Sequence, residues 1–266
     1  LDTIKCLIQE ERTFDQGFVA EVKVIEGSIP QMIGVAGQVQ CNDTIYQLPI
    51  QIVETCKNDR KYRLFFSTAA YQEQKRLQIA EQLRYQIFEL KVSDNSFFQL
   101  QPSDRKMLLL IDESALFESL AIIDFLSLKK IETDIYIKTK RQQGEIIDYL
   151  QSKLHSNINF LSSSESQEAY SILDEQIIGT KLFISGLWPM VHHIEQMAKV
   201  AGFTDEEIQY KGIGRKKEKV FCVKCYSYNR KKNQNEITCE HCKTVLDVSS
   251  HFSKRLDAYL GYIHVV

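Results

Sequence analysis

Net charge is almost absent from this 266-residue chain: 33 Lys plus Arg stand against 35 Asp plus Glu, for a formal charge of −2. That excludes a globally basic nucleic-acid binder while leaving room for a local basic patch. Long apolar runs are missing too, and none approaches the ~18 residues of a membrane span. The opening LDTIKCLIQE is broken by charge and lacks an apolar centre, so no signal peptide is expected. Internal repeats and low-complexity tracts are also lacking. The seven cysteines are an odd number; three are scattered (Cys6, Cys41, Cys56) and four are clustered. This pattern argues against a disulfide framework and for reduced thiols plus a metal site in the cytoplasm. An apolar fraction of 44% is typical of globular domains and opposes wholesale disorder.

Patterning divides the chain into three zones, 1–104, 105–212 and 213–266. The first reads as β-rich with one helix. VAEVKVIE (19–26), MIGVAGQVQ (32–40), IYQLPIQIV (45–53) and KYRLFF (61–66) have strand composition and are separated by turn signals. Pro49 predicts an edge or a bulge in its strand. Leu77, Ala80, Leu83, Ile87 and Leu90 recur at helical spacing and predict a helix over 69–90. From Met107 short apolar runs alternate with helical segments, with strands at 107–111, 133–139, 158–163, 181–186 and 206–212. Strand–helix alternation at this spacing predicts a parallel, doubly wound sheet flanked by helices.

The third zone holds two CxxC pairs, Cys222/Cys225 and Cys239/Cys242, with thirteen residues between them. Each pair lets two sulfurs of one tight turn face a single ion, and two turns together close a tetrahedral S₄ shell. This is a zinc ribbon pattern. Four thiolates leave no open coordination position, which makes the metal structural, and it stabilises a segment too small to fold on apolar contacts alone. Rubredoxin-type iron uses the same ligands. Against iron, Tyr226 and Lys243 stand where rubredoxin turns favour glycine. The stretch 226–238 fits a hairpin with a polar tip at Asn233-Gln234-Asn235. Residues 211–233 carry nine Lys or Arg against one Glu, with Tyr226 and Tyr228 interleaved. A solvated linker or a docking face explains that better than a nucleic-acid patch in a chain of this net charge.

Residues 181–212 run KLFISGLWPMVHHIEQMAKVAGFTDEEIQYKG. With the alternation from 107 onward they resemble the nucleotide module of the ferredoxin–NADP reductase family. Gly186 and Met190 match that family's Cys-Gly-Pro-x-x-Met turn, whereas Ser185 replaces its cysteine and Leu187 its first proline. The family's first strand ends in a glycine-rich turn that admits a pyrophosphate; here the turn is Asp112-Glu113-Ser114-Ala115, with two carboxylates and no glycine. Those acids cap the next helix or bind a cation or a partner's Arg; capping is the better reading. The resemblance implies that the β-rich zone corresponds to a flavin barrel. The nearest counterpart of the family's Arg-x-Tyr-Ser/Thr turn is Arg60-Lys61-Tyr62-Arg63. On helix 190–202 the apolar stripe of Met190, Ile194 and Met197 puts His193 toward the core and His192 outward.

Behind the ribbon comes His251-Phe252-Ser253-Lys254-Arg255, then Ala258-Tyr259-Leu260-Gly261. A ribbon with this tail, after a reductase-like module, resembles the A subunit family of bacterial dimethylamine monooxygenase. The resemblance implies a multicomponent oxygenase that demethylates dimethylamine with O₂ and NADPH, with haem on one partner subunit and flavin and an iron–sulfur centre on a reductase subunit. This chain is then a docking or electron-transfer accessory component holding structural zinc. His251, Lys254 and Arg255 form a polar group suited to a partner or a haem edge, and Phe252, Tyr259 and Tyr262 add an aromatic surface. The alternatives are a stand-alone flavin- or NAD(P)H-dependent reductase and, with less support, a nucleic-acid-binding ribbon protein.

Overall fold

The computed structural model describes residues 3–29, 34–93, 98–141, 143–152, 157–162, 167–231, 234–253 and 255–264. The chain divides into two compact units, Leu1–Ile213 and Gly214–Val266. The first begins with six strands: β1 (Thr3–Phe14), β2 (Gly17–Glu26), β3 (Gly34–Cys41), β4 (Thr44–Cys56), β5 (Lys61–Ser67) and β6 (Ile87–Ser93). They form a closed barrel in the order β1-β2-β5-β4-β3-β6. Closure follows from period-two patterning, which sends Ile4, Cys6, Phe18, Ala20, Val22, Ile50, Ile52, Leu64, Phe66, Phe88 and Leu90 into one core. Phe18 and Phe66 stack at its centre, 4.3 Å between centroids. Pro49 lies in a strand paired on both sides. Its missing N–H is absorbed where the β3–β4 register slips between Ala36 and Gln38, so the bulge expectation holds.

The expected helix 69–90 is shorter. Helix α1 (Glu73–Leu83) ends at Arg84, whose backbone is extended, and Tyr85 follows with φ of 62°. Ile87 and Leu90 belong instead to β6, where Phe88, Leu90 and Val92 alternate into the barrel. The helix seats Ile79, Ala80 and Leu83 against the same core.

The second half of this unit contains β7 (Lys106–Asp112), a single 3₁₀ turn (Glu113–Ala115), α2 (Leu116–Leu128), β8 (Glu132–Lys138), α3 (Glu145–Ser152), β9 (Ile158–Leu161), α4 (Gln167–Asp174), β10 (Lys181–Leu187), α5 (Trp188–Val200) and β11 (Ile208–Ile213). The strands make a five-stranded sheet in the order β11-β10-β7-β8-β9, and every pairing is parallel. β7 is buried along almost its whole length, as its continuous apolar run requires. α2 and α3 share one cluster with sheet residues such as Leu109 and Ile111; α4 and α5 pack with Leu108, Leu110, Leu182 and Ile184. His193 is exposed and His192 half-buried, the reverse of the expected order. The helix buries Met190, Val191, Ile194 and Ala198, a phase that turns residue 193 outward.

The barrel packs on α2 through Val19, Val53 and Phe65 on its outer face. A Cβ at Gly17 would fall 2.1 Å from the Phe66 carbonyl oxygen and 2.5 Å from the Phe117 ring, so only glycine fits there. Across the same seam Arg63 on β5 donates to Asp124 on α2 at 2.5 Å and to Glu21 on β2 at 3.0 Å. Arg63 is 12% exposed and Asp124 2%. Burial pushes the Asp124 carboxyl up even beside the guanidinium.

The second unit is a five-stranded sheet of β12 (Lys219–Cys222), β13 (Tyr228–Arg230), β14 (Glu236–Thr238), β15 (Val245–Ser253) and β16 (Ala258–Ile263), in the order β13-β12-β16-β15-β14. The expected hairpin over 226–238 is absent among the described residues. β13 pairs with β12 and β14 with β15, so the two short strands lie on opposite edges. Asn233 of the expected tip lies outside the described residues.

Breaking a buried pair on one side leaves an uncompensated charge. Arg63→Met alone is expected to lower stability by about 3 kcal/mol, and the double variant Arg63→Met, Asp124→Leu to recover much of that loss. Urea denaturation of the full chain checks both.

Candidate functional site

The two CxxC turns repeat one local design. In the first, Tyr226 N–H donates to the Cys222 carbonyl at 2.8 Å and Cys222 N–H to that of Ser227 at 2.9 Å. In the second, Lys243 N–H donates to Cys239 at 3.0 Å and Cys239 N–H to Thr244 at 2.8 Å. Tyr226 and Lys243 adopt left-handed backbone, φ of 60° and 61°. These are the glycine-favouring positions, filled here by other residues, so their identity does not separate zinc from iron; the turn geometry is the same.

The turns bring all four cysteines together, with their sulfurs within 4.8 Å of one another. Cys222 and Cys242 sulfurs are 3.7 Å apart, and those of Cys225 and Cys239 are 3.6 Å apart. A tetrahedron with metal–sulfur bonds of about 2.3 Å has edges of about 3.8 Å, so the sulfurs fit one ion. Cys222 and Cys239 are fully buried among Val220, Ile237 and Leu246, which fixes two corners of the shell.

A second layer of polar groups supports the sulfurs. Ser227 Oγ lies 2.9 Å from the Cys225 sulfur and 3.6 Å from that of Cys239. Thr244 Oγ1 lies 3.4 Å from the Cys242 sulfur. Asn229, itself buried, donates to the Cys239 sulfur at 3.6 Å and accepts from the Glu240 N–H at 2.8 Å. Against its burial, the N–H groups of Cys242 and His241 and the Ser227 hydroxyl draw the Cys239 thiol down to about 5. Burial pushes the Cys222 thiol up to about 11. Sequence reasoning stopped at the cysteines and missed Ser227 and Thr244. The signal was present: each second cysteine is followed, two residues on, by a hydroxyl side chain.

The tail residues are not gathered at this centre. His251 lies exposed on β15 and Arg255 exposed in the turn to β16, while Lys254 falls outside the described residues. Tyr259 is half-buried on the core side, with its hydroxyl on Glu218 at 3.0 Å and Lys231 over its ring at 3.6 Å. The strand pairing instead assembles Glu236, Asp247 and His264, which the sequence had not linked. The His264 ring nitrogen Nδ1 is 2.8 Å from Asp247 and 3.5 Å from Glu236, and the Asp247 carboxylate holds the imidazole above its ordinary value.

In the first unit the chain's own side chains fill the switch point between β7 and β10. Neighbouring connections leave these strands toward opposite sides, which opens the ligand crevice of such sheets. Asp112 Oδ1 accepts from the Ser114 N–H at 3.0 Å and the Ser114 hydroxyl at 2.6 Å, and its carboxylate meets Lys138 at 3.1 Å. Despite burial, Ser114 and Lys138 hold the Asp112 carboxyl below the usual carboxylate range. Glu113 accepts from the Thr139 hydroxyl at 2.6 Å. A Cβ at Gly186 would lie 2.7 Å from the Asp112 Cβ and 3.1 Å from the Met190 sulfur. A carboxylate therefore caps the 3₁₀ turn that leads into α2, and helix starts of this kind are also where anions bind. The capping reading of Asp112 fits these contacts.

The flavin-type turn is likewise committed within the chain. Arg60 donates to the carbonyls of Ile25 and Gly27, Tyr62 to Glu54, and Arg63 to Asp124 and Glu21.

Comparison with solved structures places the chain in the ferredoxin-reductase class of folds. It aligns with phthalate dioxygenase reductase at a TM-score of 0.58 and 10% identity, covering 86% of this chain and 76% of that one. The ferredoxin reductase of carbazole 1,9a-dioxygenase gives 0.58 at 11% identity, covering 80% and 68%. The FAD/NAD-binding domain of nitric oxide dioxygenase from Vibrio cholerae O1 biovar El Tor gives 0.53 at 12% identity, covering 80% and 99%. At these identities the likeness is one of fold.

A match to a particular family comes from the second unit alone. Residues 219–262 match the family model described as dimethylamine monooxygenase subunit DmmA-like, C-terminal domain. Over 89 residues the chain is 33% identical to the heme-dependent oxidative N-demethylase delta subunit of Ectopseudomonas mendocina (strain ymp). That alignment covers 34% of this chain and 51% of the relative, so the chain spans about half the length of the curated protein it matches. No helix among the described residues is long and apolar enough to cross a membrane.

With Asp112 in place, NADPH is expected to bind the purified chain no tighter than about 1 mM. Titration calorimetry returning a micromolar dissociation constant would restore the reductase reading.

Proposed function

We propose that this chain is an accessory subunit of a multicomponent, haem-dependent amine monooxygenase, serving as a docking or electron-transfer component while oxidative demethylation proceeds on a partner. The observation that carries this reading is the DmmA-like C-terminal match together with the relative named as a heme-dependent N-demethylase subunit. The proposed partners are a haem-bearing oxygenase subunit and a reductase subunit with flavin and iron–sulfur, and dimethylamine is the proposed substrate of the assembly. The zones 1–104, 105–212 and 213–266 are its proposed modules, and its thiols fit a cytoplasmic setting. Reductase-like architecture favours a stand-alone reductase as the second reading, and the contacts of Asp112 oppose it.

In this reading Cys222, Cys225, Cys239 and Cys242 hold one structural Zn²⁺. A closed shell of four thiolates supplies no Lewis-acid position; its role is to fix the fold of the second unit. Freshly purified protein is expected to carry about one zinc per chain by elemental analysis. Cys222→Ser should lose that metal and the hydrogen-exchange protection of residues after 213, with 107–212 still protected. Iron as the main metal would refute the assignment.

Co-expression with the gene products encoded beside it tests the function itself. The expected result is copurification with a haem-bearing subunit, read as a visible Soret band in the purified complex. A chain that purifies alone and colourless from that co-expression would refute the accessory-subunit reading.

A further inference from the structure

The five-stranded sheet of the second unit has one face on the cysteine core and one face outward, and the register says which residues share each. Val220 pairs with Tyr259 and Cys222 with Gly261 on the core side. The intervening Phe221 pairs with both Leu260 and Tyr228, so these three lie on the outer face. Tyr262 follows two residues after Leu260 and pairs with Asp247, which pairs with Glu236. Lys219 on β12 and Arg230 on the edge strand β13 pair with each other, two residues along from the Phe221–Tyr228 pair. The outer face thus carries Lys219 and Arg230 beside Phe221 and Tyr228 on β12 and β13, Leu260 and Tyr262 on the central β16, and Asp247 and Glu236 toward the far edge.

Much of the stripe is open to solvent. Tyr226 is 73% exposed, Tyr262 49% and Tyr228 46%. Phe221 meets Tyr228 edge-on at 5.3 Å and Tyr226 at 6.1 Å, so the rings form a continuous row. Tyr226 also occupies its left-handed position as a bulky residue, where glycine would be unstrained. The fold gains little from a ring there that is mostly exposed.

Charge is unevenly divided along the chain. Residues 214–266 carry eleven Lys or Arg against five Asp or Glu, a net charge of +6, while residues 1–213 carry twenty-two against thirty, a net charge of −8. A ring-rich centre bordered by cations matches the composition of interface cores, with charge speeding encounter and aromatics holding the complex. Single-stranded nucleic acid suits the face less well, because Asp247 and Glu236 would repel a phosphate chain crossing it.

We infer that Tyr226, Phe221, Tyr228, Leu260 and Tyr262 form the docking stripe for the haem-bearing partner subunit, whose matching surface is an apolar patch rimmed by carboxylates opposite Lys219 and Arg230. This rests on the accessory-subunit reading and names the surface used. It also moves the contact away from Tyr259, which faces the core, and from Arg255.

The test uses the full chain and the purified haem-bearing subunit. The triple variant Tyr226→Gly, Tyr228→Thr, Tyr262→Thr is expected to keep its metal and its melting temperature and to weaken the complex by roughly tenfold or more. A second variant, Lys219→Glu with Arg230→Glu, is expected to slow association and flatten its salt dependence, and it probes the same face if the triple variant folds poorly. Binding by the triple variant within about twofold of the parent overturns the stripe. Tight binding of a poly-thymidine strand to the parent, lost in the triple variant, overturns it in favour of nucleic acid. If the parent forms no complex, the accessory-subunit reading falls first and the stripe assignment with it.

Discussion

The first unit is organised around the burial of one helix between a barrel and a sheet. Nine residues of α2 are buried, on all sides of the helix, because the barrel covers one flank and the parallel sheet the other. A helix so placed must be apolar all round, and LFESLAIIDFLSL nearly is. Its polar exceptions are tied down individually. Ser119 donates to the Ala115 carbonyl, Asp124 accepts from Arg63, and Glu118 accepts from Gln51 on the barrel and Lys211 on β11. Apolar packing can slide by a fraction of a turn at small cost, whereas these bonds fix one rotation and one height.

That rigidity reaches the N-terminal end of α2, where nucleotides bind in sheets of this order. Lys138 from β8 and Ser114 from the 3₁₀ turn close on Asp112, and Gly186 lets β10 approach it. The anion that favours a helix start is thereby part of the chain itself. The fold is shared with ferredoxin reductases, and at this helix start the Ser114 N–H and hydroxyl and Lys138 are bonded to Asp112. The second unit is built differently: a small apolar cluster and four converging sulfurs order it, and its outer face carries exposed rings between cations and carboxylates.

The cysteine centre was the most legible feature of the sequence, because CxxC spacing restricts two sulfurs to one turn regardless of context. The strands and helices after Met107 were legible through their change of period. Helix α1 is shorter than its spacing suggests because Leu83, Ile87 and Leu90 fit a helical period by coincidence, and the left-handed Tyr85 that separates helix from strand is not a glycine. The barrel's closure depends on β6, whose alternation of Phe88, Leu90 and Val92 is just three residues long. The expected 226–238 hairpin failed for a different reason: local spacing cannot reveal that β12 pairs in parallel with β16, almost forty residues downstream. The location of Tyr259 likewise follows from that register and not from its neighbours in sequence.

Strand connectivity also sets an order of events during synthesis. β1 pairs with β2 and with β6, so the barrel stays open until residues 87–93 have left the ribosome. It can then close before any of the parallel sheet exists, with Val19, Val53 and Phe65 on its outer wall still waiting for α2. During that interval the nascent chain displays an apolar patch that the finished protein never shows, a surface on which holdase chaperones act. The ribbon follows, and with β16 as its central strand it cannot order around its metal until residues 258–263 have been made.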